Sequence, residues 1–95
     1  MIIEHATLAI KENVEAEFIQ TINEASSILN NAKGYLSHKL LHNKEDQSHF
    51  ILVVYWETLE HHIENFVGSP EFNQWKSILQ PFLKSKPEVL HYKKI

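Results

Sequence analysis

The sequence predicts an α+β domain whose strands and helices follow the order β-α-β-β-α-β. Two segments carry apolar residues at every third or fourth position, which is typical of amphipathic helices. Four other segments are rich in β-branched and aromatic residues and are bounded by polar turns, which is typical of strands. This order predicts the ferredoxin-like arrangement, a four-stranded antiparallel sheet with both helical regions on one face. The 95 residues suffice for a single domain, 1–95.

Capping residues and prolines define the ends of the predicted helices. Asn13, Thr58 and Ser69 can each accept a hydrogen bond from a free first-turn N–H group. Gly34 is expected at the C-cap of the first helix in the left-handed conformation, and Pro87 is expected to stop the last helix. The predicted strands are 2–10, 35–42, 49–57 and 89–93, and the predicted helices are 13–32, 59–67 and 69–84.

The third strand is apolar on both of its faces. A strand with one solvated face should alternate apolar and polar residues. Two helical regions can cover only one face of the sheet, so the other apolar face needs a second cover. A second copy of the chain is the simplest one, because small homo-oligomers are most often two-fold dimers. The alternative is a twisted sheet that curls over its own side chains. Phe50, Leu52, Val54 and Trp56 line one face of this strand, and Ile51, Val53 and Tyr55 line the other.

Composition excludes several classes of function. The net charge is −3, with nine lysines and no arginine, which argues against a nucleic-acid-binding surface. The absence of cysteine excludes disulfides, iron–sulfur clusters, zinc–thiolate sites and cysteine nucleophiles. No apolar run approaches the ~18 residues of a membrane span, and the amino terminus lacks the basic region of a signal peptide. A cytoplasmic location without membrane contact is therefore expected.

Seven histidines suggest a metal site, but their spacing does not support one. His61 and His62 are neighbours on a predicted helix and point about 100° apart. His38 and His42 lie about 13 Å apart along a predicted strand, too far to bind one ion together. His91 lies on an outer strand with no carboxylate assigned to it. We therefore expect no metal.

Four segments and one turn resemble the antibiotic biosynthesis monooxygenase (ABM) family. The segments are YWETLEHH at 55–62, FVGSPEF at 66–72, PEVLHY at 87–92 and GYL at 34–36, and the turn is NKEDQS at 43–48. The resemblance extends over essentially the whole chain. It implies a dimeric α/β barrel, built from two copies stacked sheet to sheet, with a pocket between each sheet and its helices.

In the polyketide-oxidising branch of that family, the pocket binds a flat phenolic substrate without metal or prosthetic group, and the deprotonated substrate itself reduces dioxygen. The Trp of that branch falls at Trp56, which matches. Its polar strand residue, Tyr and Arg fall at Leu52, near His62 and near Lys76, which do not match. The resemblance implies that His62 is the general base and that Lys76 stabilises the phenolate charge.

Six residues are expected to line the pocket and bind the substrate. For the two tryptophans the alternative is plain core packing, and for His62 it is a solvated surface position. The candidate substrate-binding residues are Trp56, His38, Leu52, Phe66, Phe72 and Trp75.

The resemblance implies a cofactor-independent monooxygenase that acts on a small phenolic or quinol-like molecule with dioxygen. A dimeric barrel that binds a small molecule without turnover is the alternative. Heme binding or degradation is the third and least favoured hypothesis. The Asn, Trp and His of the heme-degrading branch fall near Ala6, Phe66 and Lys76, and none of the three matches. No cofactor is expected.

Overall fold

The computed structural model describes all 95 residues, and its sheet has the predicted order and direction. All strand pairs are antiparallel, and the strands lie in the order β2-β3-β1-β4 across the sheet. The strands are β1 (Ile2–Ala9), β2 (Tyr35–His42), β3 (His49–Trp56) and β4 (Glu88–Tyr92), and the α-helices are α1 (Glu15–Asn30) and α2 (Pro70–Leu79). A π-helical segment (His61–Phe66) precedes α2, and a 3₁₀ turn (Gln80–Phe82) follows it. The predicted α+β fold is confirmed. None of the helices combines the length and the apolar character needed to cross a membrane.

One face of the sheet packs against the helices and forms the core. Alternate residues of β1 and β3 point to this face, as the period of two in a strand requires. Each fully buried side chain here contributes about 1.5–3 kcal/mol through the hydrophobic effect. The strands supply Ala6, Leu8, Phe50, Leu52, Val54 and Trp56, and the helices supply Phe18, Ile22, Ala25, Leu29, Trp75 and Leu79.

The opposite face of the sheet carries no helix and is partly apolar, in agreement with the pattern of the third strand. Val53 is nevertheless only 1% exposed. Its register partners on the two neighbouring strands, His5 and Lys39, flank it with longer side chains. Leu90 and Tyr92 on β4, by contrast, are nearly half exposed. Long side chains therefore cover the middle of this face and leave its edges open. The second copy stays a prediction.

Two predicted helix caps are confirmed, and one is wrong. Thr58 Oγ1 accepts a hydrogen bond from the His61 N–H at 3.2 Å. Ser69 Oγ accepts one from the Phe72 N–H at 3.3 Å, with Pro70 in the first helical position. Asn13 instead adopts a left-handed conformation, with φ of 64°, and α1 begins after Val14 without a side-chain cap. Asparagine tolerates this conformation better than most residues, so Asn13 serves the turn after β1.

The last helix ends earlier than the predicted residue 84. Its α-helical part ends at Leu79, and the 3₁₀ turn ends at Phe82. Pro81 explains the difference, because proline lacks the N–H that an α-helix needs and its ring clashes with the preceding turn. The chain then runs back along the end of β1, where the Lys84 N–H donates to the Ala9 carbonyl at 2.8 Å.

Gly34 has the predicted positive φ, +83°, but it is not the C-cap of α1. The helix already ends at Asn30, and its cap residue Asn31 is right-handed. Gly34 forms the turn into β2, where its carbonyl accepts a hydrogen bond from the Glu57 N–H at 2.8 Å. A Cβ atom at Gly34 would overlap the ring of His61. Glycine is thus required here for its backbone conformation and for the space beside it.

We expect Gly34→Ala to lower the free energy of unfolding by about 2 kcal/mol or more, because it adds a steric overlap to a left-handed alanine that alone costs about 1–2 kcal/mol. In the background of His61→Gly, which removes the Cβ atom and the ring of His61, this overlap disappears, and the same substitution should cost only about 1–2 kcal/mol, the cost of the left-handed backbone. Urea unfolding of the two single variants and the double variant checks this. Equal costs in both backgrounds would contradict the steric part.

Candidate functional site

A carboxyl group lies buried between the sheet and the helices. Glu4 shares the inward face of β1 with Ala6 and Leu8 and is 7% exposed. Trp56 Nε1 donates a hydrogen bond to Glu4 Oε1 at 2.9 Å. Burial raises the pKa of Glu4 to about 7, although the hydrogen bond from Trp56 acts in the opposite direction. Glu4 therefore exchanges its proton close to neutral pH.

Two histidines continue from Glu4 towards the surface. His62, buried in the π-helical segment, has Nε2 3.3 Å from Glu4 Oε1 and Nδ1 2.8 Å from His91 Nε2. His91 lies beside Glu4 in the β1–β4 register and is partly exposed. Burial, and then the nearby His91, lower the pKa of His62 to about 4, and burial also lowers the pKa of His91. We call Glu4, His62 and His91 the buried triad.

The pKa shifts favour the uncharged form of every member of the buried triad. Between the pKa values of His62 and Glu4, about 4 and about 7, the carboxyl is protonated and His62 is neutral. The distances then allow the carboxyl to donate to His62 Nε2, and His62 Nδ1–H to donate to His91 Nε2. Every short contact in the triad thus joins one donor to one acceptor. No three His, Asp or Glu side chains in the structure are arranged to hold a metal ion.

Aromatic rings enclose the buried triad on the helix side. The Trp56 ring stacks on His62 with centroids 5.2 Å apart and lies 5.5 Å from Phe66. Phe66 in turn meets Phe72 edge to face at 5.5 Å. The structure thus brings together four of the residues expected at the pocket. Trp56 is completely buried, so these rings fill the space beside it.

A second polar pair lies on the other side of Trp56, towards β2. Tyr35 Oη and His38 Nδ1 are 2.6 Å apart, and the Tyr35 ring meets Trp56 edge to face at 6.4 Å. Burial raises the pKa of Tyr35 and lowers the pKa of His38. His38 is therefore separated from His62 by the width of β3, and the two are connected only through Tyr35 and Trp56.

Two cavities lie away from Trp56. The first, about 600 Å³, is an open groove between α1 and α2. The second, about 360 Å³, lies between α1 and β2 and is lined by His38, His42 and Phe50, among others. Of the six expected substrate-binding residues, His38 alone lines one of these two cavities. Leu52 and Trp75 are buried core residues, 3% and 7% exposed.

Lys76, the second expected catalytic residue, is exposed on α2, and its side chain forms no hydrogen bond or ion pair. The neighbouring residue on α2, Trp75, is the one whose side chain is buried in the core. The structure therefore does not bring Lys76 to His62, and its role towards a phenolate stays a prediction.

The sequence-based prediction missed Glu4, His91 and Tyr35. A signal for Glu4 was present, because a charged residue stands on the inward face of β1 between otherwise apolar residues. An inward carboxyl rarely stays buried without a partner. His91 could be found only from the strand register that places it beside Glu4.

Comparison with known proteins identifies one family. The family model described as "Antibiotic biosynthesis monooxygenase" matches residues 1–77. The protein YczJ of Bacillus subtilis (strain 168), itself uncharacterized, is 40% identical over the full length of both chains.

Solved structures share the fold. A Bordetella bronchiseptica protein assigned to the antibiotic biosynthesis monooxygenases superposes with a TM-score of 0.95 at 28% identity, covering 99% of this chain and 96% of its own. SnoaB of Streptomyces nogalater, a cofactor-independent oxygenase, superposes with a TM-score of 0.83 at 14% identity, covering 99% of this chain and 92% of its own. At that identity the likeness to SnoaB shows the fold alone.

The buried triad predicts an unusual dependence of stability on pH. Glu4 has a raised pKa, so the unfolded chain loses its proton first and stability falls between pH 4.5 and about 7. His62 has a lowered pKa, so stability rises between about pH 4 and 6.5. The two contributions oppose each other over most of this range.

Glu4→Gln keeps the shape of the side chain and an acceptor for the Trp56 N–H, and His62 can donate its Nε2–H to the same amide oxygen, but the amide cannot ionise. We expect it to match the wild type near pH 4.5 and to exceed it by about 2–3 kcal/mol at pH 8, since one pKa unit corresponds to about 1.4 kcal/mol. Urea unfolding at several pH values measures this difference, with Glu60→Gln on the surface as control. A constant difference across pH would show that Glu4 ionises normally.

Proposed function

Because this chain belongs to the antibiotic biosynthesis monooxygenase family, we propose that it oxidises a small phenolic or quinol-like molecule with dioxygen and without a cofactor. The observation that carries this proposal is the buried triad, which lies against Trp56 between the sheet and the helices. It provides proton-accepting groups within an apolar environment, which is what such a reaction needs from a protein.

The proposed chemistry begins with loss of the phenolic proton, because a phenolate gives up electrons to dioxygen far more readily than a phenol. One oxygen atom then enters the ring carbon and becomes a quinone carbonyl. The other oxygen leaves as water together with two hydrogens of the substrate. Burial keeps His62 neutral at physiological pH by lowering its pKa to about 4, and it raises the pKa of Glu4 to about 7, so the triad can accept a proton at its carboxyl group.

The substrate is proposed to bind where Trp56, Phe66 and Phe72 now touch one another. Phe66 belongs to the π-helical segment, and π-helical turns are rare and frequent at functional sites. Outward movement of this segment would open a space walled by Trp56 and Trp75, with Leu52 at its floor. His38 would act on the same space from the β2 side through Tyr35, to which it is hydrogen-bonded and whose ring meets Trp56.

Dioxygen uptake with a panel of dihydroxynaphthalenes and anthrols tests the proposal. Wild type should consume one dioxygen per substrate oxidised. His62→Gln should lower kcat/KM by about 100-fold or more, the usual contribution of acid–base catalysis. The neighbouring His61, which bonds to Thr58 outside the triad, provides the control His61→Gln. No uptake by the wild type, or equal rates in the two variants, would exclude the proposed reaction.

Binding without turnover is the second candidate, and one observation favours it. Leu52, an apolar core residue, stands where the polyketide-oxidising branch has a polar residue. A phenol that quenches the fluorescence of wild type but not of Trp56→Phe, without dioxygen uptake, would support a binding protein. Uptake with any member of the panel would exclude this candidate.

The open face of the sheet is proposed to pack against a second copy of the chain. Its exposed apolar residues include Leu41, Leu90 and Tyr92, each more than 40% exposed. Leu90→Lys places a charge on this face and should shift the wild-type dimer towards monomer in sedimentation experiments at micromolar concentration. Ile63→Lys is the matched control, because Ile63 is equally exposed, at 45%, but lies in the π-helical segment. A monomeric wild type would contradict the proposal.

A further inference from the structure

We propose that Glu4 takes the proton from the substrate and that His62 and His91 conduct it to solvent and back. The inference rests on the proposed function and adds two residues to the predicted base. It follows from which atoms of the buried triad are already occupied. Glu4 lies on β1 and His91 on β4, whereas His62 reaches them from the π-helical segment.

His62 has no free nitrogen with which to meet a substrate. Its Nε2 faces Glu4 Oε1 at 3.3 Å, and its Nδ1 faces His91 Nε2 at 2.8 Å. A phenol could reach either nitrogen only by displacing a partner from a buried position. His62 is therefore placed to pass a proton between two groups, and it acts on the substrate through Glu4.

Glu4 has one oxygen that is free. Oε1 lies within reach of both Trp56 and His62, whereas Oε2 has no hydrogen-bond partner. Oε2 also keeps some accessible surface, because the one completely buried side-chain polar atom without a partner in this protein is His49 Nε2. The carboxyl thus offers Oε2 to a ligand while Oε1 connects it to the histidines.

The proton path closes without an added reagent. The phenolic O–H bond breaks and an Oε2–H bond forms on Glu4. After a half-turn of the carboxyl, this hydrogen passes to His62 Nε2, the Nδ1 hydrogen of His62 passes to His91 Nε2, and one hydrogen leaves His91 for water. The overall oxidation releases no net proton, so one proton returns by the same path to the oxygen that leaves as water. The return restores the starting tautomers.

The environment of Glu4 suits this role. The polar groups that face it are Trp56 from β3, His62 from the π-helical segment and His91 from β4. Burial raises the pKa of Glu4 to about 7, so Glu4 gains and loses protons readily at neutral pH. The lowered pKa values of His62 and His91 keep both rings neutral, with one donor and one acceptor nitrogen each.

Two variants separate the role of Glu4, at the substrate end of the proton path, from that of His91, at its solvent end. Glu4→Gln should lower kcat/KM by about 100-fold or more and abolish the rise in rate near pH 7, because the amide accepts no proton. His91→Gln retains an acceptor for His62 but cannot conduct a proton. Its rate should fall and should recover when imidazole is added to the buffer. A purely structural role of His91 would give a loss that imidazole does not restore.

A titration by NMR tests the path without reference to activity. With ¹³C-labelled glutamate and ¹⁵N-labelled histidine, Glu4 should titrate near pH 7, and the ring nitrogens of His62 and His91 should shift at the same midpoint. If the wild type consumes no dioxygen, the proposed function fails. The titration still shows whether protonation of Glu4 is coupled to His62 and His91. A Glu4 midpoint near the ordinary 4.5 with unmoved rings overturns the proton path. Dioxygen uptake with an unchanged pH profile in Glu4→Gln would also overturn it while leaving the proposed function intact.

Discussion

The burial of Trp56 imposes the constraint on which the rest of the structure depends. An indole at the end of β3 that is covered completely must find an acceptor for its N–H group. Glu4 on the neighbouring strand β1 provides that acceptor at 2.9 Å. The carboxyl is thereby held in the core, where loss of hydration favours its neutral form. One hydrogen bond thus places an ionisable group between the sheet and the helices.

The buried triad costs stability at neutral pH, and nothing in the packing of the core requires it. A glutamine at position 4 would satisfy Trp56 equally well and would not ionise. Ionisable groups with displaced pKa values are concentrated at functional sites, where they serve proton transfer. The same reasoning applies to the π-helical segment, whose irregular backbone carries His62 and Phe66 against Trp56. Two local departures from the most stable arrangement therefore meet at the same place.

The two faces of the sheet divide the tasks of this small domain. The helix side holds the core and the buried triad, and the open side presents an apolar surface whose edges are exposed. A domain of this size buries a modest fraction of its surface, so further burial on the open side would add stability. The family match and the superposition on the Bordetella bronchiseptica protein establish the fold. The chemistry must be argued from the residues of this chain, because one fold can support many functions.

The sequence by itself determined the order of the elements, most strand bounds to within a residue or two and the caps at Thr58 and Ser69, because these depend on periodicity and on local hydrogen bonding. Helical spacing also brought His62 and Phe66 to one side of the chain. Tertiary structure decided that Asn13 turns the backbone and left Lys76 exposed on α2. Only the tertiary structure placed Glu4 beside His91, since the pairing of β1 with β4 connects opposite ends of the chain. The shifted pKa values of the buried triad depend on the tertiary structure as well, because its groups become buried and adjacent only once the strands have paired and the helices cover them.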